Sequence, residues 1–330
     1  MTALPVFAAL PRLLVFDAQP RVVPFVALPS LLGPGDVLVV NDAATFPGSI
    51  HFERAGLTLE VRLFEKTARG FKAVLFGPGD FHTRTEHRAG PPRVERGEVL
   101  RLAGIEARVA RVDTTGRLLE LDLEGPDEAQ WRAVYRHGHP IQYAHQHEPL
   151  ALWAVQNFYA ERPWAAELPS AGYHFTLGLL DEVKSRGASI ARLTHATGLS
   201  ATGDEALDRS LPWPERYSIP AQTVEAVRRA RRVIAVGTSV LRALEASGQT
   251  DFRELEGVAT GAIGPHSRLR VVDGLITGIH SPQESHYQLL GALLDPAELA
   301  QARQLAEDAR LRAHEFGDSA LIFRSRGSPN

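Results

Sequence analysis

The sequence contains no cysteine. That excludes disulfides, thiolate metal sites and a cysteine nucleophile. It has no apolar run approaching the roughly 20 residues that a membrane-spanning helix needs. An excess of one charge sign is also missing: the formal net charge is -3. No global basic field recruits nucleic acid, so any such contact must use a local patch. The first residues, Met1-Thr2-Ala3-Leu4-Pro5-Val6, lack the charged start and long apolar stretch of a secretory signal. Internal repeats and low-complexity tracts are absent as well. These absences predict a cytoplasmic protein with no membrane partner.

What is present is an ordinary globular profile, with 44% hydrophobic and 23% charged residues. A length of 330 residues suits two domains, or one large domain carrying an insertion. Residues 36–40 (Asp-Val-Leu-Val-Val) read as a strand covered on both faces, ended by Asn41-Asp42. Residues 57–64, 71–76, 99–102, 105–112 and 118–123 are short and β-rich. Thr114-Thr115-Gly116-Arg117 joins the last two as a hairpin. These strands predict a small antiparallel barrel or sandwich, with residues 77–97 as a polar loop.

Beyond Asp127 helix and strand patterns mix. Residues 149–160 place Leu152, Val155 and Tyr159 on one helical face. Residues 176–186 predict a helix with Leu177, Leu180 and Val183 inward and Gly187 as its C-cap. Residues 190–193 read as a strand, 222–231 as a helix, and 271–277 as strand, turn and strand. Asp295-Pro296 starts a helix expected to reach about Glu315. The alternation argues for an α/β main domain with a mixed sheet.

The most informative stretch is Arg232-Val233-Ile234-Ala235-Val236-Gly237-Thr238-Ser239-Val240-Leu241-Arg242-Ala243-Leu244-Glu245. It reads as a buried strand, a Gly-Thr-Ser turn and a helix. Such a junction points unpaired backbone N–H groups at whatever sits above it, and can hold an anion or polar ligand. Similar polar groups end other apolar runs: Gly35 to Asp42; Gln156-Asn157 with Leu168-Pro169-Ser170-Ala171-Gly172-Tyr173-His174-Phe175; Val272 to Pro282; and Phe316-Gly317-Asp318-Ser319-Ala320-Leu321-Ile322. Polar strand ends are where open α/β sheets bind ligands.

Taken in order, these segments resemble the S-adenosylmethionine:tRNA ribosyltransferase-isomerase family of queuosine biosynthesis. The corresponding patterns are GD-LVxND, YQTVYA, PTAGLHF, VGTT-x-x-R-x-LE, VVDGLITNFHLP and YGDAMLI, in register from Gly35 to Ile322. The resemblance implies a main α/β domain from residues 1–58 and 132–330, and a small inserted antiparallel β-barrel-like domain at 59–131. It implies S-adenosylmethionine as co-substrate, no metal, and tRNA as partner, in a monomer or small homo-oligomer. The implied reaction transfers and isomerises the ribosyl group onto a 7-aminomethyl-7-deazaguanine base in tRNA. It gives epoxyqueuosine and releases adenine and methionine.

On that resemblance, His174, His195 and Asp318 are the catalytic candidates. Asn41, Asp42, Tyr173, Glu215, Thr238, Ser239, Arg242 and His280 are the binding candidates. His174 matches the PTAGLHF histidine, an acid or base with a structural role as its rival. Asp318 is the candidate carboxylate beside the sulfonium or ribose, against a turn-capping aspartate. Arg242 would grip a carboxylate or phosphate, against a surface arginine, and Glu245 would pair with an arginine. Arg242, His174 and Asp318 are expected to share one pocket. The histidines at 137, 139, 145 and 147 read as a loop rather than a metal site, and Arg228-Arg229 and Arg231-Arg232 as a solvated helix end.

The chain departs from the family pattern in particular places. NDTRVIPARL becomes Asn41-Asp42-Ala43-Ala44-Thr45-Phe46-Pro47-Gly48-Ser49-Ile50, without either arginine. GxGTF becomes Thr197-Gly198-Leu199-Ser200-Ala201. The histidine of a His-x-Glu segment gives way to Trp213 before Glu215. TNFHLPxSTL reads Thr277-Gly278-Ile279-His280-Ser281-Pro282-Gln283-Glu284-Ser285-His286. Lost arginines weaken phosphate contacts. Two alternatives therefore stand beside the tRNA reaction: the same donor used on a small-molecule amine, and a non-catalytic nucleoside- or RNA-binding relative.

Overall fold

In a computed structural model, which describes residues 10–282, 284–313 and 316–325, the strand-forming runs assemble into two main sheets. β1 (Arg12–Phe16) and β2 (Arg21–Pro24) pair antiparallel, and a 3-10 segment, Phe25–Leu31, leads to β3 (Asp36–Asn41). After a short β4 (Ala43–Thr45) come β5 (Ser49–Arg54), β6 (Leu57–Lys66), β7 (Gly70–Phe76), β8 (Val99–Leu102), β9 (Ile105–Val112) and β10 (Leu118–Leu123). Helix α1 (Asp127–His137) and β11 (Arg162–Ala165) follow, then α2 (Leu177–Ser185), β12 (Ser189–His195), α3 (Glu205–Asp208) and β13 (Glu215–Ser218). The remainder is α4 (Ala221–Arg229), β14 (Arg232–Val236), α5 (Thr238–Gly248), β15 (Glu256–Ala259), β16 (Gly274–Gly278), α6 (Ser285–Leu290), α7 (Pro296–Asp308) and β17 (Ser319–Phe323).

The larger sheet is mixed, in the order β15-β13-β12-β3-β14-β16-β17-β1-β2. At its centre β12, β3, β14 and β16 run parallel. Every residue of β3 is buried, as expected for a strand covered on both faces. Successive side chains of β3 face opposite ways. Val37 and Val39 join an apolar layer with Val224 and Val227 of α4 and Leu241 and Leu244 of α5. Leu38 and Val40 join the other layer, with Leu179, Leu180 and Val183 of α2 and with Phe25 and Leu28. The α/β main fold with a mixed sheet agrees with the sequence.

The smaller sheet is antiparallel, in the order β5-β6-β7-β10-β9-β8, and its outer strands β5 and β8 approach closely enough to make it nearly a barrel. Arg54 of β5 crosses that seam, its Nε 2.9 Å from Glu98 Oε1. Leu59, Val61 and Leu63 of β6 face the apolar interior, and the alternate residues Glu60 and Arg62 form a buried charged knot on the opposite face. Glu60 accepts hydrogen bonds from Ser49 Oγ at 2.7 Å, from Arg62 Nε at 2.8 Å and from Arg88. Both guanidiniums lie over the Phe76 ring, at 4.5 and 4.9 Å from its centroid. Burial alone would raise the Glu60 carboxyl; the two arginines and Ser49 overcome it and bring it down to about 2.

Several local expectations are corrected. β5 already belongs to the small sheet, so that sheet begins before residue 59. Residues 149–160 form no α-helix, only a 3-10 turn at Leu152–Val155. The polar side chains there serve neighbouring backbone instead. Gln156 Oε1 accepts from Thr45 N at 2.9 Å and its Nε2 donates to Thr45 O at 2.7 Å, while Asn157 Nδ2 donates to Pro169 O at 3.0 Å. In α2 the inward residues are Leu179, Leu180 and Val183, and Leu177 is exposed. Helix α7 starts as expected, with a capping box between Asp295 and Glu298 and Pro296 in its first turn, but ends at Asp308. Arg310 then takes a positive φ of 49°, which no helix continues. Glu315 lies outside the described residues.

The knot gives a test. Glu60→Gln leaves two buried guanidiniums without a counter-charge, and is expected to cost about 3–5 kcal/mol in a urea unfolding measurement. A loss below about 1 kcal/mol, the range of an exposed pair, would contradict the burial argument. The Glu60 carboxyl is held below its ordinary value of 4.5. Its stabilisation is therefore full above that value and is lost as pH falls toward about 2, because the unfolded chain takes up the proton first. The variant should show a shallower acid slope.

Candidate active site

The carboxyl ends of β12, β3, β14 and β16 lie side by side on one edge of the large sheet, and the amino ends of β17 and β1 continue that edge. Asn41 ends β3 and is buried. Its Oδ1 accepts from His195 N at 2.9 Å and Ala43 N at 3.1 Å; its Nδ2 donates to His195 O at 2.9 Å and reaches Ser239 Oγ at 3.3 Å. One amide thus fixes two strand ends and the start of α5. Asp42 turns to β12, where its Oδ1 accepts from Thr194 Oγ1 at 2.6 Å, and burial raises its carboxyl.

Gly237 makes the sharp turn between β14 and α5, with φ +97°. Its N–H donates to Ile276 O at 2.8 Å, so Thr238 and Ser239 open the helix at the strand ends. One turn on, Arg242 is buried. It donates to the Glu215 carboxylate and, at 3.3 Å each, to the carbonyls of Trp213 and Ala259. Arg242 is therefore an internal ion-pair partner in this structure, not an open grip on a ligand. Glu245 is corrected too. It pairs with no arginine among the described residues but accepts from the backbone N–H groups of Arg270, Val271 and Val272 at 2.8–3.0 Å. Residues 271 and 272 are thereby held as a loop rather than the expected strand.

Glu215 Oε1 also accepts from Gly198 N at 2.7 Å. Burial raises its carboxyl, and Arg242 only partly offsets the rise. His195 stands 3.7 Å away, Nε2 to Glu215 Oε2, with no exposed surface. Neither of its ring nitrogens has a hydrogen-bond partner of good geometry. Burial first, and then the Arg242 charge, push its pKa down to about 3, so the imidazole is neutral at physiological pH. A cavity opens beside this assembly, lined by Gly198, Leu199, Trp213 and Glu215 and, from the small sheet, by Phe64 and Glu65. The Phe64 and Trp213 rings are 4.9 Å apart. A largely buried carboxylate beside a neutral imidazole can move a proton, and the aromatic faces make that wall of the cavity apolar.

His174 and Asp318 form a second cluster. His174 Nε2 donates to Gly317 O at 2.6 Å, and burial lowers its pKa. Half-buried Tyr173 meets the Phe316 ring edge-on at 4.8 Å, and burial raises its hydroxyl. Asp318 accepts from Arg12 N at 2.8 Å, Arg12 Nη2 at 2.9 Å, Arg312 N at 2.8 Å and Arg312 Nη2 at 3.1 Å. Burial alone would raise its carboxyl; these donors bring it down to about 2. With both oxygens engaged and its side chain fully buried, Asp318 cannot face a sulfonium without breaking that clamp. The expected common pocket is corrected accordingly. Four strands separate β13 from β17, on the order of 20 Å at ordinary strand spacing. Arg242 and Asp318 thus occupy two stations on one edge.

His280 lies between them, just past β16, with Nε2 2.7 Å from Thr277 Oγ1 and Nδ1 3.1 Å from Glu284 Oε2. Its neighbours Glu284 and His286 went unmarked at the sequence level, although the spacing His280-x3-Glu284-x-His286 was visible there. The histidines at 137, 139, 145 and 147 form no group of three donors among the described residues. Arg229 pairs with Glu225 and Arg228 with Asp251, whereas Arg231 and Arg232 both pair with buried Asp36.

Comparison with known proteins agrees with this architecture. The profile of a family described as queuosine biosynthesis protein matches residues 9–322. The chain belongs to that family. It is 33% identical to the S-adenosylmethionine:tRNA ribosyltransferase-isomerase of Thermosynechococcus vestitus, over 91% of this chain and 85% of that protein. It is 33% identical to the same-named enzyme of Gloeobacter violaceus, over 96% of this chain and 90% of that one. The crystal structure of S-adenosylmethionine tRNA ribosyltransferase from Thermotoga maritima shares the fold, with a TM-score of 0.50 and 23% identity, covering 97% of this chain and 95% of that one. The family is thus one of transferase-isomerase enzymes.

The electrostatics of His195 are directly measurable. Proton NMR titration should find its ring neutral through the weakly acidic range, with a pKa near 3. Because the unfolded chain protonates that histidine first, near 6.5, the site should lose stability as pH falls from there toward about 3. Arg242→Met should raise the His195 pKa, since a nearby positive charge is gone. An unshifted or lower value would show that Arg242 does not act on it.

Proposed function

We propose that this protein transfers and isomerises the ribosyl group of S-adenosylmethionine onto a 7-aminomethyl-7-deazaguanine base in tRNA, releasing adenine and methionine. The observation that supports this best is the buried His195–Glu215–Arg242 assembly. It sits beside an aromatic-lined cavity at the strand ends of a chain in this family. The named activity of the relatives supplies the reaction.

The chemistry suits those residue types. A sulfonium acidifies the neighbouring C5′–H, so a positioned base can take that proton; loss of adenine needs a proton at the purine. Glu215, raised by burial and lying on the cavity wall, is the assigned proton-transfer group, with His195 alongside to share the proton. Trp213 and Phe64 offer planar faces for a base. The start of α5, with Thr238 and Ser239, presents backbone N–H groups to the donor's polar end. His280 lies along the same edge. In this reading Asp318, held by Arg12 and Arg312, is a positioning residue that sets Gly317 against His174. The residues of the small sheet are proposed to form an inserted domain whose edge at Phe64 and Glu65 closes the cavity.

Two measurements test the proposal. S-adenosylmethionine should raise the melting temperature of the purified protein, because a ligand that prefers the native state stabilises it. Adenine release, followed by chromatography, should require tRNA bearing the aminomethyl deazaguanine base. Release with small amines alone would replace tRNA as acceptor, and binding without release would mark a non-catalytic relative. Glu215→Gln should cut adenine release by about 10²–10⁴-fold while the thermal shift with S-adenosylmethionine persists. Undiminished release would remove Glu215 from the mechanism.

A further inference from the structure

We propose that His280, Glu284 and His286 form a binding site for one divalent transition-metal ion, of the kind represented by Zn2+, at the end of β16. Each residue offers a donor atom, and the three atoms lie within 4.8 Å of one another. Among the described residues no other group of three or more such side chains meets that condition. Two imidazoles and a carboxylate are the donor types that zinc takes, at about 2.0–2.2 Å each, with a fourth position left open. Such ligand lengths put tetrahedral donors about 3.3–3.5 Å apart. Glu284 Oε2 and His280 Nδ1, at 3.1 Å, are a few tenths of an ångström closer than that and need only a small separation to admit an ion.

The surroundings prepare the donors. His280 Nε2 is engaged by Thr277 Oγ1 at 2.7 Å, and Thr277 is buried in β16. Without a metal, Nδ1–H donates to Glu284 Oε2 and Nε2 accepts from the Thr277 hydroxyl; a metal would replace the Nδ1 proton, with Nε2 then donating to Thr277. Metal-bound histidines are commonly oriented by such a bond through their other nitrogen. The His286 ring stacks on that of His280, with centroids 5.0 Å apart and 25° between planes.

Sequence supports a feature particular to this chain. Where the family pattern reads TNFHLPxSTL, this chain keeps His280 but carries Glu284 in place of the serine and His286 in place of the leucine. Both replacements add donors. Ribosyl transfer, as derived above, asks for none there, so the inference stands whether or not that activity is confirmed. The rival is a metal-free cluster in which His280 hydrogen-bonds Glu284 and His286 merely packs.

The full-length protein, stripped with a chelator and titrated with Zn2+ against a chromophoric competitor near neutral pH, separates the two. We expect one ion per chain, and Co2+ in its place should give the visible absorption of a low-coordinate cobalt site. His286→Leu and Glu284→Ser restore the family's side chains, and each should weaken the affinity at least about tenfold. The half-exposed position of Glu284 makes the serine variant safe for folding, and metal-free circular dichroism checks both. Wild-type binding weaker than about 100 μM, or undiminished affinity in the two variants, would overturn the proposal; undiminished affinity would place the ion on histidines elsewhere.

Discussion

A single buried cation holds the working edge of this fold together. Arg242 rises from the first turns of α5, yet all its partners lie on the other side of the sheet edge: Glu215 at the start of β13, the Trp213 carbonyl before it, and the Ala259 carbonyl at the end of β15. Those two edge strands pair only with each other and with the last residues of β12. A guanidinium has donors enough to meet a carboxylate and two carbonyls at once. Charge burial is costly unless paired, so the arrangement works only as a unit. Glu215 then carries the constraint onward to Gly198, while burial and the Arg242 charge hold His195 neutral. The order of the site therefore follows from one ion pair.

The second station is built by the same logic for a different end. Asp318 gathers two backbone N–H groups and two guanidiniums from Arg12 and Arg312, which tie β1, β17 and the segment after α7 into one corner. That corner positions Gly317, whose carbonyl receives His174. An aspartate in a Gly-Asp turn at a strand end reads equally well as chemistry or as bracing from sequence. What decides is how many donors converge on it, and those donors come from positions 6 and 306 residues away. Distance along the chain hides them.

The legibility of the rest follows the same division between local and distant causes. Period-two alternation exposed the small sheet, and the apolar run at 36–40 exposed the central strand, because those patterns depend only on adjacent residues. The helix start at Asp295-Pro296 was legible for the same reason, though the capping box with Glu298 was not named. Residues 149–160 failed because a helical apolar spacing was overruled by Gln156 and Asn157, whose side chains bond to Thr45 and Pro169. β5 was missed because its sequence, Ser-Ile-His-Phe-Glu-Arg, is half polar, although its pairing with β6 is a local hairpin through Ala55-Gly56. At the site, Asn41, His195, Glu215, Ser239 and Arg242 could be named in advance, but not their partners. Arg242 appeared free to grip a ligand because the sequence does not show which carboxylate will reach it.

The departures of this chain from its family's pattern are not spread evenly over the edge. Gly198 and Leu199, from the altered turn, and Trp213, in the altered segment before Glu215, all line the cavity beside the small sheet. Glu284 and His286, from the third altered segment, stand together past β16. By contrast, the Gly237–Arg242 junction and the Gly317-Asp318 corner keep the family's residue types and are the parts locked by internal bonds. A site whose walls vary while its frame is retained changes what it admits sooner than what it does. In the proposed reading the frame serves the sulfonium donor and the altered wall serves the acceptor. The lost arginines at 43–50 fall on the stretch leading from β3 into β5, where the large sheet hands over to the small one. Phe46 N–H donates to Ala165 O and Ala166 N–H to Thr197 O, so this stretch and the altered turn at 197–201 are joined through residues 165 and 166.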